Sequence, residues 1–229
     1  MSGGRRVAIV DVGSNSVRLL VVSELSDSAF EVVDEERFDA RLGQGQSESG
    51  DIEPAAFQRG LRALDVMVAV ARSHKPDAIV AVGTEALRQA PNAPDFCSAV
   101  EARTGVCLRV LSAAEEANAA FLGVINSTTL QDGYILDIGG GSLEVITVVG
   151  RAVQDVLSAP LGAIYASERY LRTDPPTGRE IRALRKAVRQ RFKPGLAGVP
   201  LVGTGGAIRN LARIARARQR YPLRRLHGY

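Results

Sequence analysis

The sequence contains very little histidine or cysteine, with two residues of each in 229. The two histidines, His74 and His227, give no grounds for a histidine-based catalytic triad and are too few for a histidine-rich metal site. The cysteines, Cys97 and Cys107, form neither a CxxC pair nor a Cys/His cluster, so we interpret them as inert thiols rather than as zinc ligands or a bridge. These absences exclude chemistry that depends on clusters of histidine and cysteine.

Long apolar runs are also absent. No run approaches the roughly 18 residues needed to cross a bilayer, so we expect no membrane partner. The N-terminus lacks the charged, apolar and cleavable order of a signal peptide, so we expect a cytoplasmic protein. With 45% hydrophobic residues, the chain is long enough for one large globular domain or two modest ones.

Acidic residues are scarce in the C-terminal part. Residues 1–170 hold 14 Lys and Arg against 23 Asp and Glu, whereas residues 171–229 hold 15 against two, which gives net charges of −9 and +13. The arginines fall in "REIRALRKAVRQRFK" and "RIARARQRYPLRR", a spacing typical of either a solvated helix face or a surface that attracts a polyanion. Nucleic acid is an unlikely partner, because no nucleic-acid-binding module and no interleaving of aromatic with basic residues accompanies the charge.

Two segments of the chain resemble each other at an offset of 126 residues. "VDVGSNSVRLLVV" (10–22) and "LDIGGGSLEVITV" (136–148) share Asp, Gly and Ser at Asp11/Asp137, Gly13/Gly139 and Ser16/Ser142. A second pair, "VGTEALR" (82–88) and "VGTGGAIR" (202–209), follows in the same order with one extra residue. The sequence therefore predicts two copies of one α/β unit, which we place at residues 1–127 and 128–229.

Residue patterns predict matching elements in the two copies. In the first we expect strands at 7–11, 17–23, 30–37, 78–82 and 106–111, and helices at 54–72, 95–104 and 113–125. In the second we expect strands at 134–137, 143–149, 152–158 and 199–202, with helices between 162 and 192 and from 205 to 218. The second copy lacks counterparts of the last strand and helix of the first. We therefore expect a truncated second lobe, or two matching chains that complete each other's sheets as a homodimer.

The repeated Gly/Ser turns are the main candidates for function. The stretch "DIGGGSLE" (137–144) is typical of a hairpin turn or of a phosphate cradle, and its repetition favours the cradle. We predict that the two turns face each other across a cleft and offer backbone N–H groups to one phosphate chain. Asp11 and Asp137 are predicted to hold Mg²⁺ directly or through water. The side chains of Ser14, Asn15 and Ser16 are predicted to bind phosphate oxygens, with bracing of their own turn as the alternative.

Further polar residues follow the predicted strands. Thr84 and Arg88 follow an apolar strand, and Arg88 is either a positive clamp for phosphate or an exposed helix arginine. Ser112 and Glu115 match the S-x-x-E capping box, which favours a structural role for Glu115. Glu116 has no such duty and is either a residue that orients a water for attack on phosphorus or a surface charge.

A family resemblance rests on "VAIVDVGSNSVRLLVV", "VGTEALRQAPN", "LSAAEEANAAFLGV", "LDIGGGSLEVITV", "LGAIYASERYL" and "LHGY". Together these segments resemble the exopolyphosphatase and guanosine pentaphosphate phosphohydrolase family across essentially the whole chain. Its turn sequences are shared with the sugar kinase, Hsp70 and actin superfamily. The resemblance implies an α/β fold of duplicated ribonuclease-H-like (actin-like ATPase) lobes, with mixed sheets flanked by helices. It also implies removal of terminal phosphate from inorganic polyphosphate, or of the 5′-γ-phosphate from guanosine pentaphosphate, with Mg²⁺ and water.

The resemblance also implies roles for individual residues. Glu116 matches the proposed water-activating base and Arg88 a phosphate-contacting arginine, while Asp137 and Glu144 match acidic positions near the metal. The phosphate loops match Gly13, Ser14, Asn15, Ser16, Gly139, Gly140, Gly141 and Ser142, and Thr84 is a further predicted phosphate contact. The family usually has glycine and arginine where this chain has Ala113 and Asn118.

The leading functional hypothesis is a Mg²⁺-dependent hydrolase of polyphosphate in which water attacks phosphorus. Phosphoryl transfer needs mainly positioning and charge neutralisation, which glycine loops, a metal ion and Arg88 can supply. The alternatives are guanosine pentaphosphate hydrolysis, a non-catalytic module that binds polyphosphate or guanosine tetraphosphate, and a kinase of the same superfamily.

Overall fold

The computed structural model describes residues 4–26, 29–193, 195 and 197–221. The chain divides into two compact units, one up to Ser112 and the other from Ala113. Across the described residues, no helix is both long and apolar enough to span a bilayer.

The first unit is a five-stranded mixed sheet with helices. The sheet has the order β3-β2-β1-β4-β5, in which β1 to β3 are antiparallel and β4 and β5 run parallel to β1. The strands are β1 (Arg6–Val12), β2 (Val17–Ser26), β3 (Ala29–Phe38), β4 (Ala78–Gly83) and β5 (Leu108–Val110). The helices are α1 (Gln46–Ser49), α2 (Pro54–Ser73), α3 (Glu85–Gln89) and α4 (Ala93–Thr104).

The core of the first unit follows from alternation in the strands and helical spacing in α2. Val10 and Leu19 lie opposite each other on the buried face of β1 and β2, where α2 packs. Helix α4 packs on α2, and the rings of Phe57 and Phe96 meet edge to face with 5.0 Å between centroids. Gly60 permits this packing, because a Cβ there would lie 2.9 Å from Phe96 Cε2.

The second unit is a four-stranded mixed sheet with the order β8-β7-β6-β9, in which β9 runs parallel to β6. The strands are β6 (Gly133–Ile138), β7 (Leu143–Val149), β8 (Ala152–Ala159) and β9 (Leu201–Thr204). The helices are α5 (Ala113–Ile125), α6 (Ala163–Tyr170), α7 (Gly178–Arg191) and α8 (Gly205–Gln219).

Helix α5 packs on the sheet of the second unit. Its buried residues Phe121 and Val124 form one cluster with Ile135 of β6 and Ile146 of β7. Leu136, Ile138, Leu143 and Val145, which alternate with those residues along the strands, form a second cluster with Ala187 of α7. The sheet of the second unit is thus covered by α5 on one face and by α7 on the other. Helix α5 therefore belongs to the second unit, which begins at Ala113. The sequence had predicted that the second lobe begins after this helix, at residue 128.

The strand order confirms the duplicated α/β fold. The order β3-β2-β1-β4 of the first sheet is repeated as β8-β7-β6-β9 in the second. Packing after the fourth strand is also repeated, because Leu87 lies against Gly83 and Ile208 against Gly203. The extra residue predicted in the second motif therefore falls between the glycine and the packed aliphatic side chain. Within the described residues, β5 pairs with β4 and no strand pairs with the other edge of β9.

Candidate functional site

In the turn between β1 and β2, carbonyl groups accept hydrogen bonds from other parts of the chain, whereas three consecutive N–H groups form no hydrogen bond with the described residues. The Gly13 N–H donates to Ser16 O at 3.1 Å and closes the turn. The carbonyls of Ser14 and Asn15 accept hydrogen bonds from the N–H groups of Gly43 and Arg41, both at 2.9 Å. No hydrogen bond among the described residues uses the N–H groups of residues 14, 15 and 16. These three donors remain available to an anion.

The turn between β6 and β7 has the same polarity. The Gly139 N–H donates to Ser142 O at 3.1 Å. The carbonyls of Gly139, Gly140 and Gly141 accept from the N–H groups of Ala163, Ile164 and Gly162 at 2.9, 2.8 and 3.0 Å. In the part of the chain that the structure describes, the N–H groups of residues 140–142 take part in no hydrogen bond. The turn therefore satisfies the first N–H groups of α6 and leaves its own donors open.

The segments that bind the turn carbonyls form a third repeated element. Arg41 and Gly43 come shortly after β3, and Gly162 and Ile164 come shortly after β8. Arg41 corresponds to Gly162 and Gly43 to Ile164, in both cases at an offset of 121 residues. Both segments contact the turn through backbone N–H groups alone. These hydrogen bonds use no side-chain atom, so sequence comparison of the two copies gave no sign of them.

Close packing against the second turn requires glycine at position 162. None of Gly139, Gly140 and Gly141 has a positive φ, so the turn does not use the left-handed conformation that favours glycine in tight hairpins. A Cβ on Gly162 would lie 2.5 Å from backbone atoms of Gly140 and Gly141. The backbone of the strand exit therefore lies directly against the backbone of the turn.

Three serine residues of the turns are largely buried. Ser14, Ser16 and Ser142 are 4%, 8% and 2% exposed, and among the described residues none of their hydroxyls makes a hydrogen bond. None of the three Oγ atoms is among the buried side-chain atoms that lack a partner, so these hydroxyls reach the protein surface. The contacts of the described residues thus supply no bracing bond of the kind considered for Ser14 and Ser16.

The carboxylates near the ends of β1 and β6 have different neighbours. Asp11 lies opposite Arg18 across the antiparallel pair, whereas Asp137 lies opposite Glu144. Burial raises the pKa of Asp11, and the charge of Arg18 partly opposes this shift. Glu144 is only 3% exposed and accepts a hydrogen bond from Ser158 Oγ at 2.9 Å. The first unit therefore pairs its acid with a base, and the second places two acids side by side.

Glu116 lies at the same end of the second sheet as the glycine turn. The C-terminal end of α5 is fixed at the opposite end, because Arg151, in the turn between β7 and β8, donates to Ile125 O at 2.7 Å. The first turn of α5, with half-buried Glu116, therefore points toward the end that carries Asp137 and Glu144. These two carboxylates lie on the face that α5 covers, because they alternate in register with Ile135 and Ile146.

Arg88 is engaged within the first unit. Its guanidinium donates to Leu111 O at 2.8 Å and forms an ion pair with the buried carboxylate of Glu85. The alternative that the sequence left open, an exposed arginine on a helix surface, therefore does not describe Arg88. The Thr84 N–H donates to Val12 O at 3.2 Å and links the start of α3 to the end of β1. The counterpart of Arg88 in the repeat is Arg209, which sequence reasoning did not single out as a site residue.

No group of three or more His, Cys, Asp or Glu side chains that could hold a metal occurs among the described residues. The predicted ligands Asp11, Asp137 and Glu144 are thus not one cluster: Asp137 and Glu144 are cross-strand neighbours, and Asp11 belongs to the other unit. Mg²⁺ commonly takes one or two protein carboxylates and completes its shell with water and phosphate oxygens. The pair in the second unit fits this pattern. Close by, a Cβ on Gly205 would lie 2.6 Å from Asp137 Oδ1.

Two mixed sheets of the same order, flanked by helices and each with a polar turn after its first strand, define a protein of the actin-like ATPase fold. A crystal structure of an exopolyphosphatase from Cytophaga hutchinsonii has this fold, with a TM-score of 0.88, 22% identity and coverage of 96% of this chain and 72% of that one. The model of the Ppx/GppA phosphatase family matches residues 21–229. The chain therefore belongs to the Ppx/GppA phosphatase family.

Relatives of known sequence and structure agree with this assignment. The chain is 31% identical to exopolyphosphatase 2 of Mycobacterium tuberculosis, over 97% of its own length and 74% of that protein. It is 33% identical to exopolyphosphatase 1 of Mycobacterium leprae, over 93% and 65%. The solved Ppx/GppA family member of Aquifex aeolicus superimposes with a TM-score of 0.73 at 30% identity, over 96% and 71%. The protein is an enzyme of the phosphoanhydride hydrolase class.

Proposed function

We propose that this protein hydrolyses the terminal phosphoanhydride bonds of inorganic polyphosphate, using Mg²⁺ and a water molecule activated by Glu116. The observation that carries the proposal is the shared polarity of the two turns. In each, the carbonyls are bonded to the chain while three consecutive N–H groups have no acceptor among the described residues. Consecutive unpaired N–H groups form an anion-binding concavity.

The turns contribute binding and charge neutralisation. Amides of Ser14, Asn15 and Ser16 in one unit, and of Gly140, Gly141 and Ser142 in the other, donate to phosphate oxygens. The hydroxyls of Ser14, Ser16 and Ser142 are proposed to donate to phosphate oxygens as well, because they reach the surface beside these amides and form no hydrogen bond with the described residues. Charge-assisted bonds of this kind are about twice as strong as neutral ones.

Asp137 and Glu144 are the residues that would hold the metal ion, and Asp11 is a further predicted ligand, directly or through water. Two ionised carboxylates directly opposite each other repel, so a cation bound by both stabilises the pair. Asp11 is less suited to such a site, because Arg18 already opposes its charge. When bound, a divalent cation neutralises phosphate oxygens and orients the terminal group.

Glu116 is proposed as the general base and Arg88 as a phosphate contact. Glu116 is half-buried at the end of the second sheet that carries the acidic pair, where it can orient water and accept its proton. Glu85 and Leu111 hold the guanidinium of Arg88, which fixes its orientation before substrate arrives. Both roles rest on the position of these residues in their own units.

The test is phosphate release from polyphosphate by the full chain with and without Mg²⁺. We expect Glu116→Gln to lower kcat by about 10²–10⁴-fold, the usual contribution of a general base. Glu115→Gln is the matched control, because it removes the same charge at the exposed neighbouring position. Equal kcat of Glu116→Gln and the parent would contradict the role of Glu116, and no release from polyphosphate would contradict the proposed function.

Guanosine pentaphosphate is the second candidate substrate, because the motifs of the chain resemble those of the exopolyphosphatase and guanosine pentaphosphate phosphohydrolase family. The same assay with guanosine pentaphosphate decides between them by the ratio of kcat/KM values. Tight binding of either compound without turnover would instead favour a non-catalytic binding module. A homodimer and a cytoplasmic location remain predictions, and light scattering tests the first of them.

A further inference from the structure

Helix α7 carries a row of basic side chains that we call the cationic stripe: Arg179, Arg182, Lys186 and Arg189. These residues are spaced by three or four positions, so they lie along one face of the helix. All four are exposed. At 1.5 Å per residue the stripe is about 15 Å long.

The stripe has no counter-charge of its own. In the described ranges, none of the four side chains takes part in an ion pair or a hydrogen bond. The one acidic residue of α7, Glu180, belongs to the capping box at the start of the helix, where its carboxylate accepts the Thr177 N–H at 2.7 Å. The same carboxylate accepts hydrogen bonds from the Arg172 N–H and the Thr173 hydroxyl. In the first unit, by contrast, Arg103 of α4 pairs with Asp65 of α2.

This arrangement differs from an ordinary solvated helix face. Like charges three or four residues apart destabilise a helix, and a solvated surface usually mixes both signs. Helix α7 tolerates the repulsion because its other face is anchored. Leu184, Ala187 and Val188 belong to the cluster that includes Leu143 and Leu161, the residues that flank the glycine turn region. The face of α7 opposite the stripe therefore packs on residues next to that turn.

We infer that the cationic stripe binds the internal phosphates of a long polyphosphate chain whose end is held at the turns. The choice of polyanion rests on the proposed function, while the stripe itself rests on its exposure, its spacing and its lack of counter-charge. A linear polyphosphate carries negative charge on every phosphate and has no other group that a protein could recognise. A row of exposed cations therefore matches its chemistry. Single-stranded nucleic acid is a poorer fit, because residues 178–191 include no aromatic side chain on which a base could stack.

Binding and hydrolysis by the full chain test this inference separately. The stripe variant is Arg179→Gln, Arg182→Gln, Lys186→Gln and Arg189→Gln, since glutamine keeps helix propensity. The matched control replaces four other exposed cations with glutamine: Arg5, Arg62, Lys75 and Arg213. Affinity for long-chain polyphosphate is measured over a range of salt concentrations, and KM is measured for long-chain polyphosphate and for tripolyphosphate.

We expect the stripe variant to bind long-chain polyphosphate at least about tenfold more weakly than the control at about 0.1 M salt, and its log–log salt slope to fall by about 3, at roughly 0.7 per lost contact. Its KM for tripolyphosphate and its kcat should equal those of the control. Equal weakening in stripe variant and control would overturn the inference. So would competition by single-stranded RNA as strong as that by polyphosphate of equal charge. A parent that binds long chains through the stripe but releases no phosphate would contradict the proposed function and support the stripe.

Discussion

Replacing Gly162 with alanine should displace the glycine turn of the second unit. The φ and ψ of Gly162 are −65° and 168°, values that alanine adopts readily, so the change adds one methyl group and no backbone strain. That methyl carbon would lie 2.5 Å from Gly140 C, Gly140 O and Gly141 C. All three contacts are backbone atoms, so no side chain can rotate away.

The expected magnitude follows from the distance. A carbon–carbon contact needs about 3.5 Å, so the turn and the strand exit must separate by about 1 Å. We expect a loss of about 1–3 kcal/mol in the free energy of unfolding, typical of an overpacked site. Because a shift of about 1 Å in a binding group can cost about 10²-fold in rate, kcat/KM should fall by about that factor.

Urea denaturation and phosphate release check the two parts of this prediction. Gly123→Ala is the control, because Gly123 lies inside α5 with no atom within 4 Å of the added Cβ. It should stabilise the protein by about 0.5–1 kcal/mol through helix propensity and leave kcat/KM unchanged. A Gly162→Ala variant as stable and as active as the parent would refute the close-packing argument for the turn.

Two further predictions concern serine hydroxyls and pH. Ser16→Ala and Ser142→Ala remove hydroxyls that have no hydrogen-bond partner among the described residues, so denaturation should show unchanged stability, while affinity for phosphate should fall by about tenfold each; a clear loss of stability would show that the hydroxyls brace the fold. Hydrogen bonds from Thr173 and Thr177 lower the pKa of Glu180 to about 2, below its value in the unfolded chain, so its contribution is present above pH 4.5 and lost as the pH falls toward 2. Thermal denaturation should therefore separate the parent from Glu180→Gln at neutral pH and not near pH 2, and a constant difference would contradict the argument.

The fold was predictable because its signals are local. Apolar residues alternate along β1 and β2 and recur at helical spacing in α2, and patterns of this kind predicted most elements. The repeated Asp, Gly and Ser positions indicated the duplication. The boundaries of β5 and β9 were less accurate, with β9 at 201–204 rather than 199–202, because short buried strands have little periodicity. The short helices α1 and α3 were missed for the same reason.

The site was only partly predictable. Residue types located the turns, but the direction of their carbonyls depends on Arg41, Gly43, Gly162 and Ile164, which contact the turns through backbone atoms alone. The ion pair of Arg88 with Glu85 follows an i, i+3 spacing that the sequence does contain, so this engagement was detectable. The position of Glu116 required the contacts of α5, which no local pattern specifies.

The bonds from Ala163 and Ile164 to the glycine turn make the start of α6 and the turn one cooperative element. An anion that orders the turn also lowers the opening rate of the two amides that cap it, although neither amide touches the ligand. Slower hydrogen exchange of the Ala163 and Ile164 amides would therefore show that an anion is bound at the turn, although the measurement is made in the first turn of α6.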